Sequence, residues 1–169
     1  MSDLKWFNEL TPSEATLKLM KCCGSRRWAK EVSGHRPFAS LSKLNEVASE
    51  VWWALDRIDW LEAFRSHPKI GERKAQTDGA VLAQKWSEQE QAGVATSTEG
   101  VKGELARLNR EYDEKFGYIF IVCASGKSSD EMLSILQSRL LNEPDVELRI
   151  AAAEQAKITE LRLAKLLAN

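Results

Sequence analysis

The chain has 169 residues, 43% hydrophobic and 29% charged, and its 24 basic and 25 acidic residues leave a net charge of -1. Those proportions suit one globular domain large enough to bury a core, and the even charge provides no field for nucleic acid or an anionic membrane. A small molecule or another protein is the expected partner. Cys22, Cys23 and Cys123 form no disulfide framework and suit a reducing compartment. No apolar run approaches the roughly 20 residues that cross a bilayer. The amino end shows no secretory pattern and the carboxyl end no Ser-Lys-Leu address, so a cytoplasmic location is expected.

In chain order, Thr11-Pro12-Ser13-Glu14 combines a capping box with proline at the first helical position and predicts a helix ending at Gly24. Ser25 starts a second, closed by Gly34. Ser40 precedes an apolar stripe at Leu41, Leu44, Val47, Ala48, Val51 and Trp52 with helical spacing. Asp56 caps the next helix, which must stop near Ser66 because the residue before Pro68 avoids helical geometry. His67 to about Thr77 reads as loop, and Ala80–Trp86 and Ser87–Gly93 as short helical pieces. A long helix runs from about Glu99 to Lys115, ended by Gly117. Residues 118–124, Tyr-Ile-Phe-Ile-Val-Cys-Ala, are the one β-rich run. Lacking a partner strand, they are expected to form a buried extended connection. Ser128 and Asn142-Glu143-Pro144-Asp145 open the last two helices. No repeat, low-complexity tract or linker interrupts the chain. The expectation is a single all-α domain, 1–169, of about seven to nine helices.

Three features offer chemistry. His67, one of two histidines, is set beside Pro68 after an apolar helix, and histidine exchanges protons best near neutrality. The competing reading is a helix-end histidine whose charged form the dipole favours. His35 sits in a polar turn and reads as a surface residue. Ser87-x-x-Glu90-Gln91 is either a capping box opening a helix or a polar site, with no structural duty for Gln91. Arg162 reads as a surface arginine or as one bordering the core. Cys123 lies in an apolar run that should keep its thiol inert. No His-x-x-x-His, Cys-x-x-Cys or glycine-rich phosphate loop suggests a metal or nucleotide cofactor.

Taken together, His67-Pro68-Lys69-Ile70-Gly71, Ser87-x-x-Glu90-Gln91, the Phe116–Gly126 stretch and Lys157-Ile158-x-x-Leu161-Arg162-Leu163 resemble the ureidoimidazoline decarboxylases. Phe7-Asn8 and Cys23-Gly24-Ser25-x-x-Trp28 resemble that family's amino-terminal region. The likeness covers essentially the whole chain, and no motif position departs from the pattern. It implies an all-helical homodimer that converts 2-oxo-4-hydroxy-4-carboxy-5-ureidoimidazoline (OHCU) to (S)-allantoin and carbon dioxide without cofactor or metal. The expectation is of a chain without a fused transthyretin-like hydrolase domain, with a separate 5-hydroxyisourate hydrolase supplying the substrate. The resemblance makes His67 the general acid/base, oriented at Pro68, and makes Glu90 a partner to the substrate hydroxyl or ureido group. Ser87 and Gln91 would bind polar edges. Backbone groups of Tyr118, Ile119, Phe120, Ile121 and Val122 would satisfy the remaining atoms, and Arg162 would grip an anionic or carbonyl oxygen. A non-catalytic helical interaction module, or an enzyme acting on another ureido or imidazole acid, are the rival readings.

Overall fold

The computed structural model describes residues 4–67, 89–90 and 98–168. Among them lie eight helices and no strand: α1 (Lys5–Glu9), α2 (Pro12–Met20), α3 (Arg26–Gly34), α4 (Leu41–Ala54), α5 (Arg57–Arg65), α6 (Glu99–Phe116), α7 (Ser129–Arg139) and α8 (Pro144–Ala168). The fold is all-α. The anticipated helical pieces at 80–86 and 87–93 fall outside the described residues, except that Gln89 and Glu90 are helical.

The starts follow their caps. Thr11 closes a capping box with Glu14, and Ser25, Ser40, Asp56 and Thr98 each accept from a first-turn backbone N–H. Ser128 makes a second capping box with Glu131. Gly117 ends α6 in the left-handed region at φ 82°, a conformation a side chain would resist. One boundary and one unanticipated element, α1, differ from expectation. Helix α2 stops at Met20, four residues short of Gly24. The glycine serves a close approach instead: a Cβ there would overlap the Ser66 side chain. Helix α1 carries no side-chain cap and is anchored by the full burial of Phe7.

Contacts divide the chain into two compact units, one of residues 1–66 with 156–169 and the other of 67–155. In the first, α3 packs against α2, α4 and α5. Its core includes Phe7, Leu19, Trp28, Leu44, Trp52, Phe64 and Leu163, each side chain contributing roughly 1.5–3 kcal/mol by leaving water. Trp28 and Trp60 donate their indole N–H groups to the carbonyls of Ala48 and Trp52, at 3.0 and 2.9 Å, so their polar edges are not left bare. The Trp60 ring lies 6.0 Å from Trp52 and 5.7 Å from Trp53, centroid to centroid.

In the second unit α6 packs against α7, and residues 118–124 run between them with neither helical nor strand pairing, buried except for half-exposed Ile119. A buried polar knot holds this segment. Glu147, fully buried, accepts from Tyr112 Oη at 2.7 Å, Arg139 Nε at 2.6 Å and Asn142 Nδ2 at 3.0 Å. Arg139 Nη1 donates to the Ile121 carbonyl at 2.6 Å, and its guanidinium lies 4.6 Å from the Phe120 ring centre. Burial of this kind is tolerable because both charges are paired and hydrogen-bonded.

Candidate functional site

The turn that delivers His67 is fixed locally. Helix α5 ends at Arg65, and the Ser66 hydroxyl donates back to the Ala63 carbonyl at 2.7 Å. His67 follows, half-buried. Its Nε2 donates to the side-chain oxygen of Gln155 at 2.5 Å, across 88 residues of sequence. Gln155 is fully buried on α8, on the same side as Glu147 and Ala151. The two partners are the first and last residues of the 67–155 unit.

Glu90 is only 8% exposed. A glutamate that merely completes a capping box usually sits in water, so burial argues for a further duty. Glu90 and Glu154 both lie within electrostatic reach of Cys123: burial first, then these carboxylates, push that thiol above its ordinary range, against the pull of the Ser125 backbone and Lys127. The thiol is therefore held neutral, in keeping with an inert cysteine. Lys127 Nζ also donates to the Cys123 carbonyl at 2.7 Å. Among the described residues, no backbone N–H of Ile119, Phe120, Ile121 or Val122 donates to another backbone group. The Ile121 carbonyl, expected to serve a ligand, is already engaged by Arg139.

Arg162 is neither on the surface nor at the core's border. It is 4% exposed, while neighbouring Leu161 is 39% exposed. It belongs to the other unit, on the stretch of α8 from Ala156 onward. There its charge reaches Cys22 and Cys23, whose thiols burial has pushed up to about 12 despite the arginine's opposing pull. Pro68, Ser87 and Gln91 lie outside the described residues. His35 is exposed, its Nδ1 2.8 Å from the Glu31 carbonyl, as a surface residue should be.

Sequence reasoning missed Gln155 and Glu154. The available signal was their polarity within an alanine-rich, inward-facing stretch, Ala151-Ala152-Ala153-Glu154-Gln155. Among the described residues no group of three or more His, Cys, Asp or Glu side chains could hold a metal ion, and no helix is long and apolar enough to cross a membrane. The 67–155 unit contains an imidazole with a neutral hydrogen-bond partner and, separately, buried carboxylates. Groups of these kinds can move a proton and bind hydroxyl or N–H groups.

The family model described as OHCU decarboxylase matches residues 8–164. The chain is 42% identical over 149 residues to the uric acid degradation bifunctional protein of Arabidopsis thaliana, covering 88% of this chain. It spans 46% of that relative, somewhat under half its length. It is 36% identical over 135 residues to 2-oxo-4-hydroxy-4-carboxy-5-ureidoimidazoline decarboxylase of Amia calva, covering 80% of this chain and 77% of the other. Among solved structures, an OHCU decarboxylase crystallised in the presence of (S)-allantoin is similar, with a TM-score of 0.77, 40% identity and coverage of 90% of this chain and 99% of that one.

Proposed function

The chain belongs to the OHCU decarboxylase family, and from that premise we propose that it decarboxylates OHCU to (S)-allantoin and carbon dioxide with no metal or organic cofactor. The observation that carries the reading is the His67–Gln155 hydrogen bond in the same unit as buried Glu90. An oriented proton carrier and a desolvated carboxylate are the equipment this reaction needs.

The substrate supplies its own electron sink, a role other decarboxylases give to a cofactor. The bond from the ring carbon to the carboxylate breaks, and its electron pair moves toward the adjacent imine-like carbon and its nitrogen. Carbon dioxide leaves. The ring nitrogen that receives the electron pair takes up a proton from water, the hydroxyl proton departs, and a proton is added to the neighbouring ring carbon on one face. His67 is assigned the hydroxyl and ring-carbon proton transfers, with Pro68 orienting it. Glu90 accepts a hydrogen bond from the hydroxyl or ureido group, and Ser87 and Gln91 take polar edges of the ring and ureido chain. Backbone donors within 118–122 hold carbonyl oxygens. Arg162 is assigned an anionic or carbonyl oxygen, for which its planar fork is suited.

We further assign a homodimer working in the cytoplasm, supplied by a separate hydrolase acting on 5-hydroxyisourate. The bifunctional character of the longer Arabidopsis relative supports that functional link. The deciding experiment adds the protein to freshly generated substrate and follows circular dichroism. The expected result is a growing signal of the (S) enantiomer well above the spontaneous rate. Racemic product at the uncatalysed rate would overturn the reading.

A further inference from the structure

We propose that Gln155 is a positioning residue: its side-chain carbonyl holds His67 as the Nε2–H tautomer and so assigns proton exchange with the substrate to Nδ1. The inference rests on the decarboxylase reading for its chemical consequence, while the tautomer itself is independent of any substrate.

Two observations carry it. The first is geometric. Gln155 Oε1 stands 2.5 Å from His67 Nε2, and a carbonyl oxygen can only accept, so Nε2 bears the hydrogen. The second is the cost of the arrangement. Gln155 is fully buried on the inward side of α8, in line with Ala151. An amide placed there sacrifices hydration and the rotamer freedom of a long side chain. An apolar residue would fill the position more cheaply, so the polar group is explained by what it holds.

The neutrality of the partner matters. A carboxylate on Nε2 would favour the imidazolium and slow its return of the proton. An amide oxygen orients the ring without pinning its charge. It also remains a correct partner throughout turnover, because Nε2 keeps its hydrogen in both the neutral and the cationic ring. Nδ1 alone changes state, taking the hydroxyl proton and then releasing a proton to the ring carbon. The hydrogen bond that fixes the ring therefore never has to break during the cycle.

The chain has two histidines, so labelling both imidazoles with 15N gives a spectrum of two rings, and a His35→Asn variant assigns them. In the neutral state His67 is expected to show a pyrrole-like Nε2 and a pyridine-like Nδ1. Gln155→Met keeps the unbranched length but removes the acceptor. It should give a mixture of tautomers and a kcat lower by roughly 10–100-fold, by analogy with loss of the partner that orients a metal-bound histidine, with KM changed less than about twofold. Gln155→Glu retains an acceptor oxygen and should restore the Nε2–H form, with a kcat above that of Gln155→Met but below the wild-type value, because its carboxylate favours the imidazolium. Should the Met variant fail to fold, the wild-type spectrum and the Glu variant still decide. A pyrrole-like Nδ1 in the wild-type protein, or wild-type kcat in Gln155→Met, would overturn the proposal. An Nε2–H ring in a protein inactive on OHCU would instead overturn the decarboxylase reading and leave the tautomer assignment intact.

Discussion

Glu147 and Gln155 stand two turns apart on one side of α8, roughly 12 Å along its axis, and both are completely buried. Their surroundings differ in kind. Glu147 is gripped by Tyr112, Arg139 and Asn142, and the arginine passes the constraint on to the Ile121 carbonyl. Gln155 is neutral and faces a titratable ring. The ionic knot has nothing left to exchange, so it fixes the 118–124 segment. The amide–imidazole pair is able to change protonation state without losing its geometry. One helix face thus carries a structural polar site and, on the proposed reading, a chemical one, and charge separates them.

Substitutions can break that contrast or sharpen it. His67→Ala should have the largest effect on turnover, a loss of roughly 10²–10⁴-fold with near-normal thermal stability, and the residual product should be racemic by circular dichroism. Optically active allantoin at the wild-type rate would reduce His67 to a helix-end residue. Arg139→Met, in the knot, should do the reverse. It strands the buried Glu147 charge and should cost about 3–5 kcal/mol of stability in urea unfolding. A loss below about 1 kcal/mol would show that the knot is not what holds the segment.

The caps of five helices were legible because capping is local chemistry: Thr11, Ser25, Ser40, Asp56 and Ser128 bond to the next turn of their own chain. So was the connecting role of 118–124, since a lone β-rich run has no strand to pair with. The burial of Arg162 was not legible. Helix α8 is rich in alanine and leucine around most of its circumference, so its sequence does not mark which side faces inward. The result is an arginine inside and Leu161 outside. Gln155 was missed for a related reason: its partner is 88 residues away, and no spacing rule reaches that far. The end of α2 at Met20 was misjudged because Gly24 answers to the close approach of Ser66 rather than to a helix end.

Two smaller effects extend the comparison. Glu90→Gln keeps a residue fit for a capping box, so a purely structural Glu90 predicts a silent change. The buried carboxylate instead leads us to expect a loss of about 100-fold in kcat at unchanged melting temperature. Arg162→Lys keeps the charge and loses the fork. It should reduce kcat/KM roughly tenfold, about the worth of one charge-assisted hydrogen bond of ~1.5 kcal/mol. Full retention of kcat/KM would confine Arg162 to packing beside Cys22 and Cys23.

The tryptophan cluster gives the molecule a built-in optical label. Five of the six tryptophans, at positions 6, 28, 52, 53 and 60, belong to the 1–66/156–169 unit, whereas both tyrosines, Tyr112 and Tyr118, belong to 67–155. The sixth, Trp86, can be replaced by phenylalanine. Indole fluorescence then reports the melting of one unit alone, and tyrosine signals report the other. The Trp52–Trp60–Trp53 group, with centroid spacings of 6.0 and 5.7 Å, is close enough for its transitions to mix, giving an exciton band that vanishes when that packing is lost. Whether the two units melt together or in sequence is thereby readable in the Trp86→Phe variant from its own side chains, with no added dye.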